Sequence, residues 1–132
     1  RNRLYLFWRG ADFKPNFSFS DDGGKNWEPG AILILPERIY QNRRPYMKVA
    51  SNKADVIHFA FTDGHPNAEP TNSIYYAKYR KGALYRASGD KIKDSSALPL
   101  NPKESDVVYD ASASGEKAPC CPATRSTRFS AW

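Results

Sequence analysis

Between positions 44 and 76 the chain places Arg44, Tyr46, His65 and Tyr76, a cation, two of its phenols and an imidazole. These side-chain types offset an anion, take up a proton and give one back, so the stretch is equipped for general acid–base chemistry beside an acidic group. His65 follows Asp63-Gly64 and precedes Pro66, where it either caps a turn or stands at a rim. Arg44 is either an ion-pair partner or a substrate contact. Tyr75 and Tyr76 are adjacent, so one faces each side of its sheet, and packing competes with chemistry at both. His58 lies inside VIHFAFT beside Phe59 and reads as a packed strand residue.

The elements around these residues are strands. RLYLFW (3–8) is apolar on both faces, as a strand buried between sheets would be. NFSFS (16–20) alternates, and AILIL (31–35) is a second apolar run ended by Pro36. RPYMKVA (44–50), VIHFAFT (56–62), SIYYAKY (73–79) and ALYRA (83–87) follow, the last two joined by the tight turn RKG. VVYDASA (107–113) reads as the opening of a third set. No segment carries a helical period. Short antiparallel strands in sets predict an all-β chain, with a propeller or a sandwich as the architecture.

Between NFSF and AILIL stands SDDGGKNW, Ser20 to Trp27. A calcium loop is a poor reading, because the acids stop at Asp22 and no late glutamate closes a spaced series. A structural staple fits better. An Asp side chain accepts backbone N–H groups of its own turn, and Gly24 takes positive φ where the chain reverses. Trp27 folds back, buries an apolar face and keeps its indole N–H near a polar partner.

The 132 residues suffice for one core. Aromatics are 14%, and 10 prolines with 8 glycines suit many strands joined by turns. A net charge of +6 and a pI near 9.4 favour anionic partners. The basic residues are scattered, with no run of five or six, as on a solvated surface. No apolar run reaches membrane-span length, and no basic-then-apolar leader opens the chain. A strand begins almost at Arg1, as in a chain cut from something longer. Cys120 and Cys121 are adjacent, which strains any bridge between them. From Pro119 the alternation stops, and residues 119–132 read as a disordered end or an out-of-frame tail.

Ser20, Asp22, Gly24 and Trp27 match S-x-D-x-G-x-T-W, with Asn26 where Thr is usual. SDDGGKNW thus resembles the Asp-box, or BNR repeat, of sialidase-like β-propellers. NRRPYMKVASN, VIHFAFTDGHP and NSIYYAKYRKGALYRASGDKI are similar to the BNR-repeat-containing propellers grouped near ulvan and rhamnose–glucuronate lyases. The likeness covers roughly residues 1–118 and departs from true sialidases, whose arginine motif precedes the first box; here RRP follows it.

The resemblance implies a partial β-propeller: about two four-stranded antiparallel blades, the first lacking its innermost strand, plus the start of a third. It implies a parent outside the cell or in the periplasm that cuts acidic, uronate-containing polysaccharide by β-elimination. The expected partner is that polysaccharide, with no nucleic acid and no membrane; no cofactor and no metal are expected. It casts His65 and Tyr76 as catalytic groups, and Arg44, Tyr46 and Trp8 as substrate contacts. Trp8 would be a sugar platform, with filling between blades as its other reading. The Asp-box residues Ser20, Asp22, Gly24 and Trp27 would be a fold staple on the side away from the chemistry. A non-catalytic glycan- or protein-binding propeller, the piece itself inactive, is the alternative.

Overall fold

The computed structural model describes residues 3–10, 13–36, 44–65 and 72–114. The 119–132 tail, with Cys120 and Cys121, lies outside these residues. The described chain is all-β, with antiparallel sheets and almost no helix. Strands β1 (Leu4–Arg9), β2 (Pro15–Ser20) and β3 (Ala31–Ile32) form one three-stranded sheet. Strands β4 (Met47–Ser51), β5 (Val56–Thr62), β6 (Ile74–Arg80), β7 (Ala83–Tyr85), β8 (Lys91–Asp94) and β9 (Asp106–Tyr109) form a second.

β-Branched and aromatic residues fill β5 and β6, whose pairing runs from Val56↔Arg80 to Thr62↔Ile74. The β6–β7 hairpin turns at Lys81 (φ 47°) and Gly82 (φ 84°). Two positive φ values in succession match the right-handed twist of the flanking strands.

Alternation decides which face is buried. Phe59 and Phe61 of β5 are buried with Tyr75 and Ala77 of β6. The first sheet meets this face edge-on with its rings: Phe7–Phe59 and Tyr5–Tyr79 are both 5.6 Å between centroids. The Tyr5 and Tyr79 hydroxyls also meet at 3.2 Å. Burial, then that hydrogen bond, pushes Tyr5 up to about 12. After β8 the chain returns to the first sheet. Leu100 N donates to Leu33 O (2.8 Å) and Leu35 N to Leu100 O (3.0 Å), so Leu33, Ile34 and Leu100 join the core.

Three strand expectations need correction. RLYLFW is buried on one face only, with Leu4 and Leu6 about half exposed on the other. AILIL pairs as a strand only over Ala31–Ile32: Leu33 N still donates to Pro15 O (2.8 Å), but Leu33 O and Leu35 N bond to Leu100 of the returning segment. VVYD does not begin a third set. β7 covers only Lys78–Arg80 of the long β6, which leaves Ile74–Tyr76 with an open edge. β9 pairs there, at Ile74↔Tyr109, Tyr75↔Val107 and Tyr76↔Asp106, and satisfies that edge. Ala87 N donates to Asp106 Oδ2 (2.6 Å) and Ala111 N to Ser73 Oγ (3.1 Å), which locks β9 in place.

Candidate functional site

The Asp-box closes one end of the first sheet. Ser20 Oγ donates to Asp22 Oδ1 (2.7 Å) and accepts from Gly24 N (2.9 Å). Asp22 Oδ1 accepts from Lys25 N and Asn26 N, each at 3.0 Å, and Asn26 Nδ2 donates to Asp22 Oδ2 (2.7 Å). Asn26 therefore secures Asp22 from the position where Thr is usual. Hydrogen bonds from the Asn26 backbone, the Ser20 hydroxyl and the Asn26 side chain hold the Asp22 carboxyl down at about 2. Gly24 has φ 92°. The Trp27 indole N–H donates to Gly24 O (3.1 Å), but the ring stays 43% exposed and buries less than expected. The Asp22 oxygens are taken up by the loop's own N–H groups, which is what a staple requires.

Leu4 pairs with Ser20 at the box end of β1, and Arg9 pairs with Pro15 at its other end. Six strand residues separate these ends by about 17 Å. At the far end the chemistry-bearing residues gather. Tyr46 is fixed by the end of β5: its N–H donates to Thr62 Oγ1 and its carbonyl accepts from Thr62 N–H, both at 3.0 Å. Thr62 Oγ1 donates onward to Gly64 O (2.8 Å), and Gly64 N donates to the buried Asn72 Oδ1 (3.1 Å). This shapes the turn that carries His65. The Tyr46 hydroxyl then lies 3.1 Å from His65 Nε2, with the rings edge to face at 5.2 Å. The Arg9 guanidinium stacks over Tyr46 at 4.6 Å. Arg44 stacks over Phe13 at 4.0 Å, and its buried Nε has no hydrogen-bond partner among the described residues. Beside them Phe7, Pro15, Pro45, Tyr46, Met47 and Val49 line a groove of about 350 Å³, in the size range of small-ligand sites.

Tyr46 and His65 are therefore brought together, while Arg44 connects to them only through Phe13 and Arg9. Tyr76 is engaged elsewhere. It stands opposite Ala60, and its hydroxyl meets His58 Nδ1 at 2.7 Å. Burial, then the charge of Asp106, raises its pKa. Tyr75 packs in the core against Phe61. Trp8 leaves β1 on the face opposite Phe7 and Arg9. It touches the groove rim, while its ring lies so close to Gly30 that a Cβ there would come within 2.5 Å of it. That contact is packing.

Sequence reasoning missed Arg9 and Phe13. Arg9 shares strand parity with Tyr5 and Phe7, so its side could have been read once that face was known to meet β5. Phe13 carried no signal, since nothing in ADFKP announces its positive φ. Among the described residues no three His, Cys, Asp or Glu side chains gather as a metal set, and no helix is long and apolar enough to cross a membrane.

A family model described as a BNR repeat-containing family member matches residues 1–119. No curated protein and no solved structure matches the chain.

Proposed function

The chain belongs to the BNR repeat-containing family, and from that premise we propose that it is part of an exported, carbohydrate-directed β-propeller that cleaves uronate-containing polysaccharide by β-elimination. The two sheets are read as neighbouring blades. Their edge-to-face ring packing supports this, as does the box at one end with the polar cluster at the other. Leu4 and Leu6 stay about half exposed on the outer face of the first sheet, the kind of surface that further stacking covers.

The observation that carries the chemical reading is the Tyr46–His65 hydrogen bond with the Arg9 guanidinium stacked on Tyr46, and Arg44 reached from Arg9 through the shared Phe13 ring. Elimination at a uronate needs its carboxylate charge offset, so that the adjacent C5 proton becomes acidic. Arg44 supplies that cation. Tyr46, its own proton passed to His65 Nε2, removes the C5 proton. The C5–H electron pair becomes the C4–C5 double bond as the C4–O bond breaks. The proton held by His65 goes to the departing oxygen, and both side chains return to their starting state. Tyr76, paired with His58, has no part in this scheme.

The test is release of unsaturated uronate, read by its ultraviolet absorbance, from a panel of acidic glycans. Activity lost in both Tyr46→Phe and His65→Ala is the expected result. Saturable glycan binding without any unsaturated product would instead favour the non-catalytic binding propeller.

A further inference from the structure

Phe13 is a bulky residue held at φ 57°, in the left-handed region that side chains of its kind rarely occupy. The tight loop around it holds it there: Phe13 N donates to Gly10 O (3.0 Å) and Gly10 N to Lys14 O (2.9 Å). The ring does not repay this strain by burial, since it is 49% exposed. Its neighbours are instead two cations. The Arg44 guanidinium lies 4.0 Å above the ring and that of Arg9 lies 5.4 Å from it. Arg9 Nε also donates to the Phe13 carbonyl (3.2 Å).

Two unfavourable features coincide at Phe13, a strained backbone and two like charges on one ring, and a third lies on its neighbour: Arg44 Nε, without a hydrogen-bond partner among the described residues. A single oxyanion between the guanidinium groups offsets the second. Strain retained at such a place is a mark of preorganisation.

We infer that Phe13 is a positioning residue that clamps Arg9 and Arg44 into a paired cation for one oxyanion. This rests on the proposed function only in taking that oxyanion to be the uronate carboxylate. An inorganic oxyanion tests the clamp apart from that reading. Phe13 acts through the arginines: cation–π contact fixes Arg44, and ring and carbonyl together fix Arg9.

The experiment titrates the chain at low salt with trigalacturonate and, separately, with inorganic sulfate, following the Arg side-chain Nε–H resonances. Phe13→Gly removes the ring and also the backbone strain, because glycine accepts positive φ. Phe13→Tyr keeps the ring. The clamp predicts that Phe13→Gly binds both anions about tenfold more weakly with a melting temperature no lower than that of the unsubstituted chain. Its Arg44 Nε–H signal loses the ring-current displacement. Phe13→Tyr restores affinity and displacement together. Equal affinity in Phe13→Gly, or no binding of either anion by the unsubstituted chain, overturns the clamp. Sulfate binding that needs Phe13, with no trigalacturonate binding, upholds the clamp and overturns the uronate reading.

Discussion

Tyr46 and His65 stand nineteen positions apart in sequence, yet the phenol oxygen lies 3.1 Å from the imidazole Nε2. The contact follows from the end of β5. Thr62 grips the Tyr46 backbone on both sides and turns the chain through Gly64 towards His65. Both groups are exposed enough to meet a ligand, and both sit at the end of the sheets opposite the Asp-box.

Acid should loosen the box. The Asp22 carboxyl is held at about 2 in the folded chain, against ~3.9 for an unperturbed aspartate. Between these values the unfolded chain binds the extra proton, so the stabilisation from Asp22 is complete above about 4 and is lost as pH falls through about 2. Thermal melts from pH 5 to pH 2 should show this slope. Asp22→Ala should melt lower at pH 5 and lose part of the slope; an unchanged slope would mean that the box does not hold this carboxylate.

The contact between the sheets rests on rings. Phe59 is 2% exposed and meets Phe7 edge-on. Phe59→Ala should cost about 3–5 kcal/mol in urea unfolding. A loss under 1 kcal/mol would mean that the sheets do not pack as described.

The two Tyr–His pairs should separate on substitution. Tyr76→Phe leaves the partly buried His58 Nδ1 without its partner and should cost about 1 kcal/mol of stability, with uronate binding unchanged. Tyr46→Phe should change stability by less than about 0.5 kcal/mol and abolish the elimination. Paired melts and activity assays read both; the reverse pattern would move the chemistry to the Tyr76 face.

Much of the frame was legible in the sequence because period-two patterns are local. VIHFAFT is β5 to the residue, and SDDGGKNW folds as the staple its Ser, Asp and Gly spacing required. β8 escaped notice because KIKD has no apolar alternation; it is defined by its pairing with β7 alone. β9 was recognised as a strand but given the wrong neighbour, since the open edge of β6 is a fact of register. At the candidate site, Tyr46 and His65 were legible from side-chain type, and the fold brings these two within 3.1 Å. The partner of Tyr76 was not, because the choice between His58 and His65 depends on which strand face each occupies. Phe13 was hidden for a different reason: its role depends on a backbone angle that propensity opposes.

The most direct test of the central claim, that the Tyr46–His65 end receives the uronate and the Asp-box end does not, is a titration with trigalacturonate followed by NMR. The account predicts that the His65 imidazole and Tyr46 ring signals shift together and saturate, while the Trp27 indole N–H stays still. A saturating shift of the Trp27 indole, with His65 and Tyr46 unmoved, would contradict it.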